Sequence, residues 1–126
     1  MRVLITGHNG YIGAVMAPFL KKAGHEVVGM DSLYFEGCHL WDDYERPHEE
    51  IRKDIRDVTA ADLGGFDAIV HLAALSNDPL GNLNPSITFD INEHASVTLA
   101  RAAKEAGVTR FLYSSSCSVY GAASPE

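Results

Sequence analysis

Val3-Leu4-Ile5-Thr6-Gly7-His8-Asn9-Gly10-Tyr11-Ile12-Gly13 decides how the rest of the 126-residue chain is read. An apolar run of the buried-strand kind empties into three glycines spaced three apart, and a segment of helical periodicity follows. Gly7 lets the backbone leave the strand in a conformation that side chains disfavour. Gly10 lets the main chain approach a diphosphate, and Gly13 lets the next helix lie close on the strand. The helix would then turn its unpaired N–H groups and positive dipole end toward the anion. Glycine triplets alone are a weak signal, but here a strand precedes, a helix follows, and Asp31 closes a second apolar run 18 residues past Gly13.

Asp31 bears on the ligand. A carboxylate at that place accepts hydrogen bonds from both hydroxyls of an adenosine ribose, whereas a 2′-phosphate would meet a like charge and no arginine in Met30-Asp31-Ser32-Leu33. NAD is therefore expected over NADP, with Ser32 beside the ribose. An ordinary loop acid after a strand would have the same spacing.

Composition bounds the function. One domain, residues 1–126, is long enough to remove about two-thirds of its unfolded surface from water. A net charge of −7 with no basic stripe argues against nucleic acid and against an anionic membrane surface. Residues 36–67 hold ten acids and four bases, which reads as a solvated face. Cys38 and Cys117 have no metal-like partner spacing and suit reduced thiols, so a cytoplasmic protein is expected. The six histidines show no ligand pattern and no metal is assigned; His71, inside an apolar strand, is expected to be a hydrogen-bonded core residue. Neither a signal peptide nor an apolar run near 18 residues is present in the sequence.

Strand and helix signals alternate. Strands are expected at 3–5, 26–30, 49–53, 67–72 and 110–114, and helices over 10–23 and from Pro85 to Ala106. The first helix should turn Ile12, Met16, Phe19, Leu20 and Ala23 to one side, kink at Pro18 and end on Gly24 as a left-handed cap. The second should start with the Asn84 side chain as cap and Pro85 at its first position, face inward with Ile87, Ile91, Ala95, Thr98 and Ala102, and stop at Gly107. Thr59 to Leu63 suggests one helical turn, and a 17-residue loop, 32–48, carries Tyr34, Phe35, Trp41 and Tyr44. Right-handed crossovers then make an α/β, Rossmann-type parallel sheet of order 3-2-1-4-5, with ligands at the carboxyl ends of the strands. Gly7, Asp31, Asp54, Ala73 and Ser115 all fall at those ends.

Further segments carry a family resemblance. Asp54-Ile55-Arg56-Asp57, His71-Leu72-Ala73-Ala74, Asn92 in the long helix and Ser114-Ser115-Ser116-Cys117-Ser118-Val119-Tyr120-Gly121, with the opening glycine turn, resemble the cofactor-binding N-terminal part of the extended short-chain dehydrogenase/reductases, the nucleotide-sugar epimerases and dehydratases. The resemblance covers the whole chain. It implies that Gly7, Asn9, Gly10, Tyr11, Ile12 and Gly13 hold the cofactor diphosphate, that Asp54 and Ile55 meet the adenine, and that Leu72, Ala73 and Ala74 line the cofactor's middle. Asn92, whose amide could fix the active-site loop, Ser114 and Ser115 complete the cofactor site, and Ser116 is the catalytic hydroxyl, hydrogen-bonding the substrate oxygen as hydride leaves the sugar carbon. A turn-forming Asp54, core-filling alanines and a solvent-facing Asn92 are the alternatives.

In that family the base is a tyrosine assisted by a lysine four residues on. Here the residues four after Tyr11, Tyr34, Tyr44, Tyr113 and Tyr120 are Val15, Cys38, His48, Cys117 and Ser124. The chain therefore reads as the front part of a longer enzyme, lacking the later strands and the sugar-binding region, and is expected alone to bind NAD at most weakly and to be inactive. Uncovered sheet surface beside the long helix should favour a homodimer or other self-association. Sugar-nucleotide dehydratases of this family carry an acid where Ser118 stands, so the resemblance points to an epimerase acting through transient hydride transfer to a tightly bound NAD. A dehydratase or reductase of the same family, and a non-catalytic dinucleotide sensor, are the rival readings.

Overall fold

A computed structural model describes residues 1–38, 45–76, 79 and 83–121, with the backbone alone at 117 and 118. Trp41, Tyr44 and the side chains of Cys117 and Ser118 lie outside the described residues. Five parallel strands, β1 (Arg2–Thr6), β2 (Glu26–Asp31), β3 (Glu49–Arg52), β4 (Ala68–His71) and β5 (Arg110–Tyr113), form one sheet in the order β3-β2-β1-β4-β5. That is the expected order, and each strand lies within one or two residues of its expected bounds. The order reverses direction between β1 and β4, which pair from Val3↔Ala68 to Thr6↔His71.

Alternation along the strands feeds two cores. Leu4, Val28, Met30 and Ile69 point to one side, where Leu99, Ala102 and Ala103 of the long helix and Leu63 of a short turn cover them. Ile5 and Val27 point to the other side, against Ala17, Met16 and Leu20 of α1 (Gly13–Lys22).

α1 turns Met16 and Leu20 to the core as its apolar spacing suggests, but the rest of its buried face is shifted. Gly13, Ala14 and Ala17 are buried, whereas Ile12 is 52% and Phe19 68% exposed, and Ala23 is exposed at the C-cap. The glycine turn draws the start of α1 so near β1 that only small side chains fit beneath it. The helix runs through Pro18 without a break. At its end Gly24, at φ 84°, donates to the Lys21 carbonyl and His25 to that of Leu20, so the left-handed cap is the paired Schellman arrangement.

Between β5 and the loop after β4, α2 (Pro85–Phe89), a π-helical segment (Asp90–Ala95) and α3 (Ser96–Glu105) form a continuous helical rod. Pro85 takes the first position, but the Asn84 side chain does not cap the helix; its Oδ1 accepts the Ser86 hydroxyl at 2.7 Å. The inward residues are Ile91, Ala95, Leu99, Ala102 and Ala103, while Ile87 is 42% exposed and Thr98 is exposed. A π turn holds more residues per revolution than an α turn, so the apolar phase slips by one and Leu99 takes the place expected of Thr98. Two 3₁₀ turns, Ile55–Asp57 and Ala60–Leu63, follow β3; the second is opened by a capping box between Thr59 and Asp62. β5 is an edge strand with Leu112 and Tyr113 half exposed. No helix among the described residues is long and apolar enough to cross a membrane.

Candidate functional site

A cleft opens at the carboxyl ends of the strands, and every site residue expected from the sequence lines it. Gly7, Asn9, Gly10, Tyr11, Ile12 and Gly13 come from the turn after β1, and Asp31 and Ser32 from the end of β2. Asp54 and Ile55 follow β3, and Leu72, Ala73 and Ala74 follow β4. Asn92 projects from the π segment, and Ser114, Ser115 and Ser116 follow β5.

The three glycines differ in what they are needed for. Gly7 sits at φ 77°, donates to the Met30 carbonyl at 2.8 Å, and a Cβ there would come 2.7 Å from the Ala73 nitrogen. A Cβ on Gly13 would collide with the Gly7 carbonyl and lie 2.6 Å from His8 Cα. Both are therefore demanded by the protein's own backbone. Gly10 is not: its φ is outside the left-handed region and an added Cβ would meet only the Gly7 oxygen, at 3.3 Å. The fold therefore constrains Gly10 less than Gly7 and Gly13, since a Cβ there would crowd a single backbone oxygen. α1 begins just beyond, with no side-chain cap and no acid in its first turn, leaving its positive end open to an anion.

Asp31 is held on two sides. Its Oδ2 accepts the Asn9 N–H at 3.0 Å and its Oδ1 the Leu33 N–H at 2.8 Å, which fixes the carboxylate against the turn and leaves a lone pair on each oxygen. Leu33 adopts φ 61°, a left-handed conformation costing on the order of 1 kcal/mol, to make the second bond.

Asp54 is more heavily engaged than a bare adenine acceptor. Its Oδ1 caps the following 3₁₀ turn by accepting Arg56 N–H at 2.9 Å and also accepts Arg56 Nε at 3.1 Å. Its Oδ2 accepts Arg56 Nη2 at 2.7 Å and the Tyr34 hydroxyl at 3.1 Å. Hydrogen bonding to Arg56 holds the Asp54 carboxyl below its ordinary pKa, and raises that of Arg56 in return. All four acceptor directions are filled, so an adenine amine could reach Asp54 only by displacing one of these bonds, of which that from the Tyr34 hydroxyl is the one not made by Arg56.

Asn92 faces neither solvent nor open cleft with its amide. Its Oδ1 accepts the Leu75 N–H and its Nδ2 donates to the Leu75 carbonyl, both at 2.8 Å, which pins the loop after β4 to the rod. The wider π turn brings the amide to that loop. His71 is the buried core histidine expected, its Nδ1 2.6 Å from Thr6 Oγ1 and its Nε2 2.8 Å from Ser96 Oγ. Burial lowers its pKa to about 4, so it stays neutral. Ser114, Ser115 and Ser116 are exposed within the cleft.

Tyr34, Phe35, Lys53, Thr88, Phe89 and Tyr113 also line the cleft. Tyr34 and Phe35 stand in the aromatic loop whose destination the sequence leaves open; the structure puts them at the cleft. Lys53 is the residue just before Asp54, a position that charge and adjacency alone would have nominated. Among the described residues, no group of three or more histidines, cysteines or acids is placed to hold a metal.

Fold and cleft together define a Rossmann-like α/β protein with its ligand site at the switch point of a parallel sheet. The chain belongs to the NAD dependent epimerase/dehydratase family, whose model matches residues 3–126. It is 32% identical over 129 residues to a UDP-glucose 4-epimerase of Klebsiella pneumoniae, covering 96% of this chain and 93% of that relative. A UDP-glucose 4-epimerase of Mycolicibacterium smegmatis is 36% identical over 131 residues, covering 96% of this chain and 41% of that protein. A crystal structure of UDP-glucose-4-epimerase from Stenotrophomonas maltophila, with bound NAD and formylated UDP-arabinopyranose, superposes with a TM-score of 0.82 at 34% identity, over 96% of this chain and 38% of that one. The chain thus spans about two-fifths of the latter two proteins.

Proposed function

We propose that this chain is the NAD-binding portion of a nucleotide-sugar epimerase that works by transient hydride transfer to a tightly held NAD. The observation that carries the reading is the Gly10 cradle: a glycine the fold constrains less than Gly7 and Gly13, at the open end of α1, in a cleft that also presents the anchored carboxylate of Asp31. The residues fit the cofactor. Gly7 to Gly13 and the start of α1 would receive the diphosphate, Asp31 the adenosine ribose hydroxyls, and Asp54 and Ile55 the adenine edge. Leu72 to Ala74 would flank the middle of the dinucleotide, with Asn92 acting at one remove by fixing Leu75.

When bound, NAD supplies a hydride acceptor that later returns the hydride. Ser116 would donate a hydrogen bond to the sugar oxygen whose carbon is oxidised, steadying charge there. Ser116 cannot also take the proton, and no tyrosine in this sequence has a lysine four residues on. The chain alone is therefore expected to bind but not to turn over. The similarity to curated UDP-glucose 4-epimerases supports epimerisation over the dehydratase and reductase chemistries of the same family. Titrating the chain with NAD by calorimetry tests the cofactor role: saturable binding that falls on Asp31→Ala supports it, and the absence of saturable binding refutes it.

A further inference from the structure

We propose that selectivity against a 2′-phosphorylated dinucleotide is set by two carboxylates, Asp31 by its own charge and Asp62 by holding the cleft's cation, Lys53, away from the ribose. The inference rests on the cofactor reading above. Of the residues that line the cleft, Lys53 alone is a lysine or arginine among those described. It stands at the ribose end: its N–H donates to the Asp31 carbonyl at 3.0 Å, so the two residues are neighbours across β2 and the end of β3. By that backbone bond Lys53 is the lining cation next to the strand end that carries Asp31.

In the structure it does something else. Lys53 Nζ donates to Asp62 Oδ1 at 2.7 Å. Asp62 is itself locked in place, since its Oδ2 accepts both the Thr59 N–H and the Thr59 hydroxyl at 2.8 Å as part of the capping box. Hydrogen bonding from Lys53, ahead of that from Thr59, lowers the Asp62 carboxyl to about 2. The other charges nearby do not substitute for Lys53. Arg56 is committed to Asp54 and Asp90, and Arg52, the register partner of Asp31, does not line the cleft. A 2′-phosphate would thus meet the Asp31 carboxylate while the one described cation that lines the cleft is already paired.

Calorimetric titration of the full 126-residue chain with NAD and NADP, at low ionic strength, tests this on the wild type, Asp62→Asn, Lys53→Met and the double variant. Asparagine keeps an oxygen for the Thr59 N–H while releasing Lys53. Asp62→Asn should raise NADP affinity relative to NAD by about five-fold, the size expected for one freed charge near a phosphate in partly wet surroundings. The ratio should return to the wild-type value in the double variant. Lys53→Met alone should leave the ratio within about two-fold, because the lysine is already withheld; this arm does not depend on Asp62→Asn folding. An unchanged ratio in Asp62→Asn, an equal rise in the double variant, or a marked fall of NADP affinity in Lys53→Met overturns the inference while saturable NAD binding leaves the cofactor reading standing. Absence of NAD binding to the wild type overturns both.

Discussion

Alanine at Gly10 and alanine at Gly13 should fail in opposite ways. At Gly13 the new Cβ would lie 2.6 Å from both Cα and O of His8, backbone atoms of the turn after β1 that cannot yield independently. Relief requires α1 to lift from β1, and overpacking of that kind costs about 1–3 kcal/mol, only partly offset by the ~1 kcal/mol helix preference of alanine over glycine. With a melting shift of about 4 °C per kcal/mol for a domain of this size, Gly13→Ala should melt up to about 10 °C lower. At Gly10 the Cβ meets a single atom at 3.3 Å and needs no left-handed φ, so the cost is under about 1 kcal/mol and is offset by the entropy that alanine removes from the unfolded chain. Gly10→Ala should melt within about 3 °C of the wild type. NAD at 100 times its Kd should add ~2.7 kcal/mol, about 10 °C, to the wild type and almost nothing to Gly10→Ala, whose Cβ occupies the approach to the diphosphate. Differential scanning calorimetry with and without NAD gives both quantities. The reasoning is refuted if Gly10→Ala is as unstable as Gly13→Ala, or if it keeps the full NAD shift.

Asn92→Ala removes both bonds to Leu75 and leaves its partly buried N–H and carbonyl unpaired, so it should destabilise the chain by about 2 kcal/mol in urea melts; Asn92→Asp, which retains only the acceptor, should not restore it. His71 has its folded pKa lowered to about 4 from 6.5, so the unfolded chain binds more protons between those values: stability should be full above pH 6.5 and fall as the pH drops toward 4, by on the order of 3 kcal/mol. Chemical denaturation at pH 7 and pH 4.5 checks this, and a His71→Asn variant should show a shallower pH dependence. Tyr34→Phe frees one acceptor direction on Asp54 and should tighten NAD binding several-fold in calorimetry if the adenine amine goes there; weaker binding would mean that Tyr34 itself contacts the cofactor.

What the sequence made legible follows from how local each constraint is. The strand order came from alternating elements and short right-handed connections, and the cleft from residues placed at strand ends, because both depend on periodicity and chain direction alone. Spacing finds Met16 and Leu20 on the buried side of α1 but not the burial of Ala14 and Ala17 or the exposure of Ile12 and Phe19, because Gly13 sets a helix–strand distance that hydrophobic spacing does not encode. The exposure of Thr98 is likewise not legible, because a π turn leaves no signature in a 3.6-residue period. The turn-forming role of Asp54 is legible from its place after a strand, but its bonds to Tyr34, 20 residues away, and to the side chain of Arg56 are not. The pairing of Lys53 with Asp62 likewise depends on how the chain folds back after β3.

The most direct test of the account is a crystal structure of the chain grown with NAD. The diphosphate is expected against the main chain of Gly7 to Gly13 at the start of α1, with the adenosine ribose hydroxyls on Asp31. NAD bound elsewhere, or a diphosphate lying away from Gly10, would contradict it.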